Sequence, residues 1–196
     1  DNIFHEHQGF HSLKSIADLC KENGLSVSNV KIINSQGGSI RCEIKKEKNK
    51  INSKIKKFLI YERKNKLFNS RFLISFKNKI LNHNKILFNF LINLKRKNKK
   101  ISIYGASGKG QALMQFCGID QSIIDKVYDK SSLKNGRFTP GTNIKINLPN
   151  KINKKNVDYL LLLSWNIKSE VLKQEKYFLK KGGKFIIPFP KPKILD

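Results

Sequence analysis

From Lys100 to the end of the chain, short apolar segments alternate with segments of helical periodicity, and this alternation restricts the possible folds more than any other feature. The predicted elements are strands at 101–104, 124–128, 157–163 and 184–189, with one helix that ends at Gln115 and another over 167–179. Strands separated by helices pair in parallel, with helices on both faces of the sheet. The sequence therefore predicts an α/β fold, with a Rossmann-like parallel-sheet domain over residues 99–196.

The part before this domain has a different pattern. Helical spacing follows Ser12, a suitable N-cap, and Gly24 is placed to end that helix. Strands at 25–33 and 39–46 follow, and residues 1–46 therefore resemble an α/β remnant, the end of one unit. Residues 47–98 predict two connecting helices, whose many lysines form a solvated face.

The formal net charge is +26, with 40 Lys and Arg against 14 Asp and Glu, and an excess of this size points toward nucleic acid. However, 35 of the 40 basic residues are lysine and only five are arginine, in a chain rich in isoleucine and asparagine. An AT-rich genome imposes this composition, whereas nucleic-acid recognition relies on arginine for bidentate and stacked contacts. We therefore expect no specific nucleic-acid partner and keep polynucleotide binding as the weakest alternative.

Membrane spans, secretion signals and metal frameworks leave recognisable patterns that this sequence lacks. No apolar run reaches the 18 residues of a membrane span, and no secretory signal opens the chain. The cysteines Cys20, Cys42 and Cys117 lie far apart without a CxxC pair, which indicates neither disulfides nor structural zinc. We predict a cytoplasmic protein with no membrane association. The chain starts at Asp1 instead of Met, and we expect it to be a piece of a longer protein or a processed product.

A glycine-rich turn at 105–110 follows the first predicted strand of the sheet and opens a helix. Backbone at such a turn can approach a ligand, and its N–H groups face an anion. The turn matches neither GxGxxG nor a Walker A motif, so a plain tight turn remains an equal alternative. Lys109 adds a cation where the helix dipole disfavours one, which a bound phosphate would explain. Asp129 ends the second predicted strand, where such folds place an acid for a ribose hydroxyl.

Two further groups of residues are candidates for catalysis or ligand binding. Phe4-His5-Glu6-His7 combines imidazoles with a carboxylate, which suits a base with an orienting partner, or metal ligands. In an extended segment the two imidazoles face away from the carboxylate, which disfavours a metal and leaves a base or an exposed loop. Trp165 and Asn166 follow the third predicted strand at the ligand-binding edge, although a lone tryptophan there is more often a packing residue.

Ordered motifs along nearly the whole chain resemble the sugar C-methyltransferases. These enzymes use S-adenosylmethionine to methylate nucleotide-linked keto-deoxysugars. The matching segments are 4–7, 12–14, 36–41, 104–106, 109–110, 117–120, 134–142, 164–166 and 182–188. The chain is similar to the C-terminal portion of such an enzyme, and the resemblance assigns residues 1–46 to the end of its catalytic methyltransferase domain.

The resemblance implies a reaction in which a base removes the proton beside a ketone and the enolate attacks a sulfonium methyl group. It makes His7 the base, with Glu6 positioning the imidazole or the sugar. Imidazole is a weak base for such a proton, so the enolate oxygen needs hydrogen-bond donors and the methyl donor must be held in line. The residues expected to bind the nucleotide sugar are Phe4, Gly37, Gly38, Ser39, Gly105, Ala106, Lys109, Gly110, Asp129, Lys134, Arg137, Trp165 and Asn166.

The chain also departs from the family. Phe4 stands where the family usually has tyrosine, and Gln36 where it usually has histidine. The family's N-terminal zinc module and its methyl-donor domain have no counterpart in the sequence. We therefore expect S-adenosylmethionine and zinc to be bound outside this chain, no metal within it, and the isolated chain to be inactive. A stand-alone nucleotide-sugar binding module without catalysis is the alternative, which Phe4 slightly favours.

Overall fold

A computed structural model describes residues 9–35, 38–46, 52–153 and 155–196. The chain forms two compact units, one extending to Lys79 and the other beginning at Ile80. This division falls inside a long helix. The segment 47–98, which the sequence predicts as connecting helices, is therefore shared between the two units.

The first unit is a two-stranded antiparallel sheet with helices packed on it. Its elements are α1 (Leu13–Glu22), β1 (Ser26–Ile33), β2 (Ser39–Lys45), α2 (Ser53–Lys64) and the first part of α3 (Ser70–Arg96). Leu13, Val30 and Ile55 are buried together in its core. The predicted helix, both strands, the Ser12 N-cap and a left-handed Gly24 after the helix are confirmed.

The start of α1 has an unusual cap. Glu62, a buried residue of α2, accepts hydrogen bonds from the backbone N–H groups of Leu13 and Lys14 at 2.7 and 3.0 Å. Ser12 and Ser15 form a capping box on the same turn. The N–H groups that a helix start normally leaves unpaired are thus satisfied by side chains, and α1 is fixed to α2 at this point.

The second unit contains a six-stranded sheet with strand order β5-β4-β3-β6-β7-β8. Its elements are β3 (Ile101–Tyr104), α4 (Gly108–Cys117), β4 (Val127–Tyr128), β5 (Ile146–Asn147), β6 (Tyr159–Leu162), α5 (Lys168–Gln174), α6 (Lys176–Lys180), β7 (Lys184–Ile187) and β8 (Lys193–Leu195). Neighbouring strands are parallel except β8, which is antiparallel to β7. The Rossmann-like prediction is confirmed.

Three details of that prediction were wrong. The sheet gains β5 and β8, one at each edge, and the strand predicted at 184–189 is therefore not the last. The second predicted strand, 124–128, shortens to two residues. The single helix predicted over 167–179 breaks into α5 and α6 at Glu175, whose carboxylate accepts a hydrogen bond from the Tyr104 hydroxyl at 2.9 Å.

Helices cover both faces of this sheet, as predicted. Leu87 and Leu91 of α3 share one apolar core with Met114 of α4. Val171 of α5 and Phe178 of α6 lie in a second core on the opposite face. Within the described ranges, no helix is long and apolar enough to cross a bilayer.

Candidate functional site

The strand order predicts a ligand-binding crevice at the carboxyl edge of the sheet. β3 lies between β4 and β6, and the chain connections run in opposite directions on its two sides. In open parallel sheets, ligands bind outside the carboxyl ends of the strands at such a point. The crevice is therefore bordered by the connections that follow β3, β4 and β6.

Two glycines bring the turn after β3 against the end of β6. Gly105 has a φ of +96°, and a Cβ on it would lie 2.3 Å from the Ser164 side-chain oxygen. A Cβ on Gly110 would lie 2.6 Å from the Leu163 Cβ. The start of α4 thus requires glycine at both positions, and Ser107 caps the helix by accepting the Gly110 N–H at 3.2 Å.

A half-buried carboxylate organises the other side of this turn. Asp129 accepts the N–H groups of Ala106 and Ser131 at 2.7 and 2.9 Å. The Lys134 ammonium group lies 3.2 Å from the same carboxylate and donates to the Ala106 carbonyl at 2.9 Å. Both peptide groups of Ala106 are therefore occupied, and the turn is tied to the connection after β4.

The structure brings together some of the residues predicted to bind the nucleotide sugar. Gly105, Ala106 and Gly110 lie in or next to one turn, and Asp129 and Lys134 hydrogen-bond to Ala106 in it. Trp165 follows Ser164, after the end of β6. The other predicted residues are not among these contacts.

Lys109 is half-buried in the first turn of α4, whereas the side chains of Asn166 and Arg137 are exposed. Gly38 and Ser39 belong to the first unit, at the start of β2. Four predicted residues lie outside the described residues: Phe4, Glu6, His7 and Gly37.

The sequence did not predict two aromatic residues near this site, Phe189 beside Trp165 and His83 beside Phe189. The Phe189 ring, after β7, meets the Trp165 ring edge-on with centroids 4.9 Å apart. The His83 ring of α3 also stacks on Phe189, with the ring centroids 4.5 Å apart and an angle of 10° between the ring planes. Phe189 could have been found by inspecting the end of every predicted parallel strand. No sequence signal distinguishes His83 from the rest of its helix.

Burial changes the acid–base properties of several groups near the crevice. It lowers the pKa of His83 below the ordinary imidazole value, although a hydrogen bond with the Pro190 backbone opposes the shift. Burial, together with the nearby Glu175 carboxylate, raises the pKa of Tyr104, which directly precedes Gly105. Both side chains therefore stay uncharged near neutral pH. Among the described residues, no group of three or more His, Cys, Asp or Glu side chains could hold a metal ion.

The sequence of the chain matches a known family across both units. A family model described as "C-methyltransferase C-terminal domain" matches residues 34–190. The chain belongs to this C-methyltransferase family. It is also 32% identical over 198 residues to the protein named C-methyltransferase NovU from Streptomyces niveus, an alignment covering 100% of this chain and 47% of the relative. The chain thus spans about half the length of that C-methyltransferase, and the family model it matches describes the C-terminal domain of such enzymes.

Proposed function

We propose that this chain is the nucleotide-sugar-binding part of a C-methyltransferase that acts in deoxysugar biosynthesis. The substrate is a nucleotide-linked keto-deoxyhexose, methylated at the carbon next to its ketone. One observation carries the proposal: two glycines hold the start of α4 against the end of β6 at the reversal point of the sheet. A helix start in this position presents N–H groups and a positive dipole end to an anion.

In this proposal the diphosphate lies at the start of α4, near Gly105, Ala106 and Lys109. The contacts of Lys134 and Asp129 support a role for each of them in this site. Lys134 contributes positive charge next to the turn, and Asp129 holds it there. An ionised carboxylate has about four acceptor positions, of which Asp129 uses three, so one remains for a ribose hydroxyl.

The proposed chemical step is the one that the resemblance to the sugar C-methyltransferases implies. His7 accepts the proton from the carbon beside the ketone, and Glu6 holds its imidazole ring. The C–H electron pair becomes the enolate, whose carbon forms the new bond to the methyl group. S-adenosylmethionine, when bound, would supply that methyl group; the electron pair of its breaking S–CH₃ bond would stay on sulfur, which leaves as a neutral thioether. The resemblance assigns the methyl donor and the zinc to other domains of the family, so we place both outside this chain.

Binding tests the first half of the proposal. Calorimetric titration of the chain with a nucleoside diphosphate sugar should give saturable binding without turnover. Lys109→Ala should weaken this ligand more than the matching unphosphorylated sugar, because only the phosphates interact with the helix start. Lys180→Ala, at an exposed lysine that ends α6, is the matched control. Equal weakening of both ligands by Lys109→Ala would remove the phosphate assignment.

Turnover tests the second half. In a full-length enzyme containing this chain, His7→Ala should abolish methyl transfer and leave nucleotide-sugar affinity intact. Unchanged turnover would exclude His7 as the base. A free-standing binding module remains the second candidate, favoured by Phe4 in place of the family's tyrosine, and it predicts that no polypeptide containing this chain transfers a methyl group.

A further inference from the structure

The crevice of the second unit is chemically different on its two sides. On the β4 side lie a carboxylate and an ammonium group, Asp129 and Lys134, 3.2 Å apart. On the side of β6 and β7 lie the half-buried rings of Trp165 and Phe189. The glycine turn after β3 separates the two. A ligand centred on this turn therefore meets charged partners at one end and rings at the other.

On the aromatic side, the uncharged imidazole of His83 stacks on Phe189. One ring nitrogen of His83 bonds the Pro190 backbone, and because proline has no N–H, the imidazole N–H donates to the carbonyl. The other nitrogen, Nε2, is buried and has no hydrogen-bond partner within the described ranges. Its ring lies flat on Phe189. This arrangement fixes the Phe189 ring between the imidazole and Trp165.

The order of groups in a nucleotide sugar decides which end meets the rings. With the diphosphate at the start of α4 and the ribose hydroxyl at Asp129, the nucleoside extends over β4. The sugar on the other side of the diphosphate then extends toward β6 and β7. A deoxysugar offers C–H and methyl groups where other sugars have hydroxyls, and aromatic faces accept such apolar surface.

We propose that Trp165 and Phe189 form a wall that binds the apolar face of the sugar ring, and that His83 is a positioning residue that holds Phe189 in this wall. The inference rests on the proposed function and adds a selection rule to it. The wall selects for missing hydroxyl groups. An apolar wall discriminates against an added hydroxyl by at most about a hundredfold, so we expect a preference of ten- to a hundredfold for a 6-deoxyhexose over the matching hexose.

Trp165 is the only tryptophan of the chain, so its fluorescence reports on this wall without a label. The wild-type chain is titrated with thymidine and uridine diphosphates and with the glucose and 6-deoxyglucose derivatives of whichever nucleotide binds. The 6-deoxyglucose derivative should shift Trp165 emission strongly, and the nucleoside diphosphate alone only weakly.

The variants separate the wall from the phosphate site. Phe189→Ala should weaken the 6-deoxyglucose derivative about tenfold and leave nucleoside diphosphate affinity within twofold, which also shows that the variant is folded. His83→Ala should cause a smaller loss in the same direction, and His83→Phe should restore affinity because it keeps a flat ring on Phe189. Phe116→Ala removes an exposed aromatic side chain of the same unit and should change neither affinity.

The results distinguish failure of the wall from failure of the proposed function. If no nucleoside diphosphate or its sugar derivative binds the wild-type chain, the proposed function fails. If they bind but Phe189→Ala weakens the nucleoside diphosphate and the sugar derivative equally, the rings contact the base and the proposed wall is wrong. An unchanged affinity in Phe189→Ala, or no rescue by His83→Phe after a loss in His83→Ala, also overturns the assignment.

Discussion

Replacing Glu62 by glutamine should destabilise the first unit by about 3 kcal/mol, because this buried carboxylate caps α1. Its oxygens accept the N–H groups of Leu13 and Lys14, and its side chain is only 6% exposed. Glutamine keeps one acceptor and turns an NH₂ group toward the other N–H. Losing one hydrogen bond to a charged acceptor costs about 1.5–3 kcal/mol, and losing the negative charge at a helix start about 0.5–1 kcal/mol more.

Amide hydrogen exchange measures this effect at the site. A loss of about 3 kcal/mol should lower the protection of the Leu13 and Lys14 amides about a hundredfold, since 1.4 kcal/mol corresponds to a factor of ten. Urea unfolding followed by circular dichroism gives the corresponding loss for the whole unit. Glu22→Gln, at the exposed end of α1, is the control and should change stability by less than about 0.5 kcal/mol. The capping argument is refuted if the Glu62 variant behaves like this control.

Three further outcomes are expected in the second unit. Gly105→Ala should lower the free energy of unfolding by about 3 kcal/mol, because alanine is strained at a positive φ and its Cβ would clash with Ser164. Gly118→Ala, where φ is also positive but the space is open, should cost only about 1 kcal/mol, and denaturant titration of both variants measures the difference. Because burial lowers the pKa of His83, the unfolded chain binds protons more readily than the folded chain, so stability should be full above pH 6.5 and fall as the pH drops below it. His83→Asn should flatten this slope in thermal unfolding, and an unchanged slope would contradict the prediction. Burial raises the pKa of the Cys117 thiol to about 11, so Cys117 should be alkylated far more slowly at pH 8 in the folded chain than in urea. Equal rates of Cys117 alkylation in the two conditions would contradict its burial.

The sequence predicted the elements that have a repeating pattern and missed those that do not. Helix α1 and its cap were predictable because the apolar spacing and the Ser12 and Gly24 signals agree. β5 and β8 have two and three residues, too few for a period, and only pairing with neighbouring strands defines them. The break at Glu175 depends on its hydrogen bond to Tyr104, 71 residues away in the chain, which no local window detects.

The candidate site shows the same division. The glycine turn and Asp129 were predictable because each follows a predicted strand. The hydrogen bonds that join Asp129 and Lys134 to Ala106 were not predictable, because they depend on where the connection after β4 folds back. His83 was not predictable because its position beside Phe189 depends on how α3 crosses the sheet.

The reversed direction of β8 has a practical use. β7 runs toward the crevice and β8 runs away from it, and Asp196 forms an ion pair at 2.7 Å with Lys184, the first residue of β7. The last residue of this chain therefore stands at the edge of the sheet opposite the crevice. A biotin tag or sensor-chip linkage joined there leaves the carboxyl edge open, so immobilised chain can be used to compare nucleotide sugars by surface plasmon resonance.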